Sequence, residues 1–291
     1  MSGRSPNFCK VYMLLWLSFL LMPVTSYGYI LQATENGHVI KWHESCLKYS
    51  IYQDGAPGVE SEMLSEAIRS AFDAWEDVEC SYFFMDETET ATCDEVGFST
   101  DTGNTNLLVW RTSDWERDSL HELDALALTT LSFDRNTGRI LDADIEFNSE
   151  YFEFGLQGNT DIADIQNTAT HEIGHMLGLE HSEVEGATMF SGASPGETSK
   201  RILQDDDKAG LCALYPLSED PDECTEPICG LDLHCATTRC EDVADESSSN
   251  KNSCSFSPSA HRQSHVSLLA GLLRIFPHIP DHFHILDPGW I

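Results

Sequence analysis

Two histidines one helical turn apart, then a glycine and a third histidine, constrain this chain more than any other feature. They are His171, His175, Gly178 and His181, with Glu172 directly after the first. Upstream, Ile162, Ile165, Ala169, Ile173 and Met176 recur every three or four residues and predict a helix that carries the first two histidines. Thr160 or Asp161 would cap its start, and Asp164 would favour its first turn. On such a helix His171 and His175 share a face. Gly178 tolerates the left-handed exit that turns the chain and returns His181 toward the same point. The fold must therefore wrap a helix end, a reversal and a loop around one centre.

Three neutral imidazoles hold zinc and leave a fourth position for water. Zinc lowers the pKa of such a water from about 15.7 toward about 7. Glu172 sits beside the first ligand, where a carboxylate can take the water's proton and later deliver it to a leaving amine. This chemistry is amide hydrolysis without a covalent intermediate. The alternative is a zinc held without turnover, although structural sites usually close with a fourth protein ligand. Met189 is expected to pack beneath the imidazoles rather than to ligate. Gly186 and Gly192 bracket a segment able to turn tightly there.

The rest of the chain sets the context. Residues 1–28 combine Arg4 and Lys10 with an apolar run from Val11 to Met22 and a turn-prone end, as in a secretory signal cleaved near 26–28. An uncleaved anchor is the rival reading, but the run is short for a span, and no stable membrane span is expected in the mature chain. Export places the protein outside the cell, or in the periplasm of a Gram-negative source. It also permits disulfides among the cysteines of the mature chain, nine of the 10 once Cys9 leaves with the signal. Cys80 with Cys93 and Cys46 with Cys212 are one guess at the pairing. Cys224, Cys229, Cys235 and Cys240 form a cluster for which zinc binding is the competing reading. The formal charge of −33 argues against nucleic acid as a partner. Oligomeric state is not legible.

The boundaries read as a signal at 1–28, a main domain at 38–217, a cysteine-rich segment at 218–254 and a tail of uncertain order at 255–291. In the main domain, Leu64, Ile68, Ala71, Phe72, Trp75 and Val78 mark an amphipathic helix. Strands are expected at Leu47–Tyr52, Tyr82–Met85, Leu107–Trp110, Ala125–Phe133 and Ile140–Asn148, the last two joined by a turn at 134–138. A final helix begins near Gln204, capped by Asp205 or Asp206, and stops at Pro216. In the tail, His261 and His265 have helical spacing, but no glutamate lies between them and no third histidine follows at the spacing of the centre.

The string at 171–181 with Met189 resembles the metzincin clan of zinc endopeptidases. Trp42, Leu47–Ile51, Asp142–Asn148, His181-Ser182 and Gln204–Tyr215 make the chain look like a secreted matrixin, the group that includes the matrix metalloproteinases. The resemblance covers roughly residues 38–217. It implies an α/β (α+β) catalytic domain with a twisted, mostly parallel five-stranded sheet, one antiparallel edge strand and three helices. It implies one catalytic zinc held by His171, His175 and His181, with Glu172 as general base and Met189 as the turn methionine. Leu126, Ala127, Leu128, Thr129, Thr130 and Leu131 would form the edge strand that pairs with an extended polypeptide substrate. Phe190–Pro195 would wall the pocket beyond the scissile bond.

Two departures follow from the same comparison. No cysteine-bearing propeptide is visible between the signal and the catalytic-type sequence, so latency by that route is not expected. Positions 142–148 hold acids and an asparagine where animal members use histidines, and His121 is isolated, so a second zinc is not expected. Calcium near Asp142, Asp144 or Glu146 is an expectation resting on available oxygen ligands. The competing class is an extracellular module that retains zinc without turning over substrate.

Overall fold

Long apolar runs buried on both faces build the sheet. The computed structural model describes residues 27–45, 47–99, 104–156, 162–220 and 266–275. Its strands are β1 (Leu47–Ile51), β2 (Met85–Glu87), β3 (Asn106–Arg111), β4 (Ala125–Asp134) and β5 (Ile140–Asn148). Two-residue strands follow at β6 (Phe154–Gly155), β7 (Ala163–Asp164) and β8 (Gly192–Ala193), and then β9 (Val266–Ile275). Five strands lie in the order β2-β1-β3-β5-β4, all parallel except β4, which runs antiparallel to β5. These five form the expected twisted, mostly parallel sheet with one antiparallel strand, and the sheet continues past β4 to β9 and β8. In β3, Leu107, Leu108, Val109 and Trp110 are all buried, the pattern of a strand covered on both faces.

Three helices complete the frame: α1 (Ser61–Glu76), α2 (Ile165–Met176) and α3 (Asp205–Leu214). The stripe predicted from sequence is the buried face of α1, with Leu64, Ile68, Ala71, Phe72 and Trp75 all inside. Leu64, Ile68 and Phe72 each contribute about 1.5–3 kcal/mol by leaving water. Phe72 stacks on Tyr49 of β1 at 4.0 Å, and Trp75 Nε1 donates to the Thr170 carbonyl of α2 at 2.8 Å. Helix α1 thus ties the sheet to the histidine helix.

Several local expectations need correction. Helix α2 starts later than its periodicity suggests, because Ala163–Asp164 pairs as a strand and Asp164 Oδ1 caps the helix by accepting from Asn167 N at 2.9 Å. Thr160 and Asp161 lie outside the described residues. The cap of α3 is Gln204, whose backbone N–H donates to Asp207 at 2.8 Å; Asp205 and Asp206 are already helical. Strand β2 begins at Met85, where the expected Tyr82–Met85 strand ended. Residues 1–26 of the expected signal, the 224–240 cysteines and the tail histidines also fall outside the described residues, whereas Tyr27 and Gly28 are described. Residues 266–275, placed by sequence in a tail of uncertain order, form β9 against β4.

The cysteine pairing also differs. Cys80 bonds Cys212, closing a separation of 132 residues and fixing α3 to the loop after α1. Neither the 80–93 nor the 46–212 pair is therefore possible; Cys93 is disulfide-bonded elsewhere. Sequence nearness suggested the wrong loop, because the antiparallel bridge of Ser81 to Pro216 brings Cys80 beside α3. Replacing Cys80 and Cys212 together by serine is expected to cost about 2–5 kcal/mol. Denaturant unfolding would measure this, and an unchanged midpoint would refute it.

Candidate metal centre

Helix α2 presents its histidines as the spacing requires. Gly178 has φ +102°, and a Cβ there would collide with the Ile40 carbonyl, so only glycine makes this exit. Its N–H returns to His175 O at 2.9 Å, and Leu179 N–H returns to Gly174 O at 3.0 Å. Residues 30–32 clamp the reversal, with Gln32 N donating to Gly178 O and Glu180 N to Ile30 O, both at 2.8 Å. The chain then delivers His181 against the other two rings. One ligand nitrogen from each of the three lies within 4.8 Å of the others.

The donor set fits a cation. His171 Nδ1 is 2.6 Å from Thr188 O, and His175 Nδ1 is 2.8 Å from Leu179 O. A carbonyl can only accept, so both rings carry their proton on Nδ1 and present a lone pair at Nε2. Those two Nε2 atoms stand 3.2 Å apart. Two lone pairs facing each other in a buried site repel, and a shared zinc ion relieves that repulsion. Burial, with neighbouring charge from His175 and Lys200 for His171 and from His181 for His175, lowers both pKa values, His175 to about 3. Both rings therefore stay neutral, as metal ligands must.

Glu172 is fully buried beside them. Thr129 Oγ1, on β4, donates to Glu172 Oε2 at 2.6 Å. This contact joins the acid to the strand singled out for substrate pairing: Leu126, Ala127, Leu128, Thr129, Thr130 and Leu131 all lie in β4. Met189 is buried under α2, and a Cβ on Gly174 would overlap its sulfur and come within 2.8 Å of Trp75. Gly174, between the two helical histidines, is thus the gap into which Met189 fits.

Some positioning groups escaped sequence reasoning. Asp207 accepts from Thr188 N at 2.8 Å, Met189 N at 2.9 Å and Gln204 N at 2.8 Å, so it holds the methionine turn. Asp206 accepts from Gly28 N at 2.5 Å, Tyr29 N at 3.1 Å and Ser182 Oγ at 2.6 Å, fixing the loop after His181. Lys200 is buried and donates to Thr188 O at 3.0 Å and Phe190 O at 2.5 Å. Burial lowers its pKa to about 8, so it remains mostly charged at neutral pH. The acids resembled ordinary helix-start residues and the lysine a surface cation; only long-range backbone partners distinguish them.

The acids of β5 have protein partners. Glu146 takes Arg111 Nε at 2.5 Å, Arg117 Nη2 at 2.6 Å and His121 Nε2 at 3.2 Å. Asp144 accepts from Gly97 N at 2.5 Å and Leu107 N at 3.0 Å. Calcium here would have to displace those donors. Burial alone would raise Glu146, but His121 and the two arginines outweigh it and hold the carboxyl at about 2. A depressed carboxyl stabilises the fold fully above its ordinary value of 4.5, and that stability is lost as pH falls toward 2. The contribution is about 3 kcal/mol at one pKa unit per 1.4 kcal/mol. Glu146→Gln should flatten the stability profile between these pH values in acid titrations followed by circular dichroism; an unaltered slope would contradict this.

Two histidines on a helix and a third from the loop after it, set beside this sheet, define a metzincin-type fold. The Matrixin family model matches residues 41–216, which is most of the described domain. The chain belongs to the matrixin family. It is similar to metalloendoproteinase 1-MMP of Arabidopsis thaliana, 32% identical over 180 residues, covering 60% of this chain and 44% of that protein. Neutrophil collagenase of Homo sapiens is 27% identical over 187 residues, covering 64% and 36%. Karilysin of Tannerella forsythia is 28% identical over 201 residues, covering 65% and 34%. The chain spans less than half the length of each of these relatives.

Proposed function

We propose that this chain is a secreted zinc endopeptidase that cuts extended polypeptides. The observation that carries the reading is the convergence of three imidazole nitrogens within 4.8 Å beside a buried glutamate. Relatives named as a metalloendoproteinase and a collagenase support it. Zinc bound by His171, His175 and His181 supplies a Lewis acid for the scissile carbonyl and acidifies a water. Glu172, oriented through Oε2 by Thr129, takes a proton from the attacking water and passes it to the leaving amine nitrogen. The Nδ1 protons on Thr188 O and Leu179 O keep the rings in the ligating tautomer. Backbone groups of β4 pair with the substrate chain and orient its peptide bond. Residues 190–195, including β8, wall the pocket on the far side.

Secretion rests on residues 1–28. Among the described residues, no helix is long and apolar enough to cross a membrane. Cleavage-site profiling on a peptide library, with chelation and zinc add-back, tests the function. Cuts that vanish on chelation and return with zinc are expected. A protein that cuts nothing when zinc-loaded and released from its own C-terminal strand would instead favour the binding-module reading.

A further inference from the structure

The outer edge of β4 is already occupied. Strand β9 runs antiparallel along it from Asp134, opposite Val266, to Ala125, opposite Arg274. Its other side pairs in parallel with β8, Gly192 to Arg274 and Ala193 to Ile275. It therefore lies between the two elements assigned above to the substrate groove. At its middle, Gly271 faces Thr129, the residue that holds Glu172. Gly271 is buried, and a Cβ built on it would run into the His175 ring, 2.7 Å from Nδ1 and closer to two ring carbons. Only glycine lets a backbone pass this close to the ligand.

We propose that residues 266–275 are an intramolecular inhibitor. The segment adds to the β4 edge as an extended polypeptide substrate would and closes the histidine centre until it leaves. This rests on the endopeptidase reading. The pairing satisfies edge amides that would otherwise be open to another chain. Because both partners belong to one chain, occupancy does not depend on protein concentration. A strand serving only to extend the sheet has no need to cross the metal ligands, whereas this one places its single glycine there.

Two full-length variants test it. Gly271→Val adds a side chain that strands favour but that meets His175. Leu272→Pro instead puts a strand-breaking residue beside Gly271 and leaves the glycine in place. Zinc-loaded parent and variants are compared by hydrogen exchange at β4 amides 127–134 and by hydrolysis of a quenched peptide library. Both variants should exchange faster over 127–134. If β9 is docked in nine of ten parent molecules, release raises hydrolysis about tenfold. Exchange and rate both equal to the parent's would overturn the proposal. Faster exchange with no hydrolysis by any of the three proteins would leave the strand's seat standing and refute the endopeptidase reading instead.

Discussion

Glu172→Gln lowers kcat/KM for peptide cleavage by about 10²–10⁴-fold, the usual share of a positioned general base, while zinc content stays unchanged. Glutamine keeps the shape and an acceptor oxygen for Thr129 Oγ1, which now sits 2.6 Å from Oε2. It removes a buried negative charge, so thermal stability should not fall. Glu172 carries no metal contact in this account, because the ligand nitrogens come from the three histidines alone. Zinc analysis and kinetics on the Gly271→Val background, where the groove is expected to be open, separate the roles. Loss of zinc with the substitution would make Glu172 a ligand or a structural support. Undiminished hydrolysis would remove it from the mechanism.

Asp207→Ala should damage both fold and centre. The carboxylate accepts from three backbone N–H groups, those of Thr188, Met189 and Gln204, and is fully buried. Leaving buried donors unsatisfied costs about 1–3 kcal/mol each, so a total loss of about 3–5 kcal/mol is expected, near the upper end for single substitutions. The same turn places Thr188 O, which takes the Nδ1 proton of His171. Loss of that orientation should weaken zinc binding by about 10–100-fold. Denaturant unfolding and competitive zinc titration check the two effects. A variant as stable as the parent, with equal zinc affinity, would show that the turn holds without Asp207.

The features legible in sequence were those with local causes. Histidines one turn apart, a glycine at a positive φ and an apolar stripe on α1 each act over a few residues, and each stands where periodicity placed it. The strands β4 and β5 were legible because a turn at Gly138, φ +75°, separates the largely apolar β4 from the alternating Leu141, Ala143, Ile145 and Phe147 of β5. Partners far apart in the chain were not legible. Cys80 and Cys212 meet across 132 residues, and Asp206 meets Gly28 across 178. Asp206 and Asp207 carried the signature of a helix start, which hid their work on the loops around His181 and Met189.

The same distinction explains the tail. Leu268–Phe276 is a short apolar run interrupted by Arg274, and nothing local assigns it a partner. Its partner is β4, more than a hundred residues earlier in the numbering, whose open edge sequence analysis reserved for a different chain. Edge pairing is specified by geometry on both sides, so a single strand pattern could not reveal it.

X-ray absorption at the zinc edge, on the metal-loaded Gly271→Val protein with the groove open, tests the central claim most directly. One zinc per chain is expected, with three imidazole nitrogens at about 2.0–2.1 Å and the remaining position filled by a light oxygen scatterer of solvent. A fourth side-chain donor closing that position, or a folded protein that binds no zinc when supplied with it, would contradict the account.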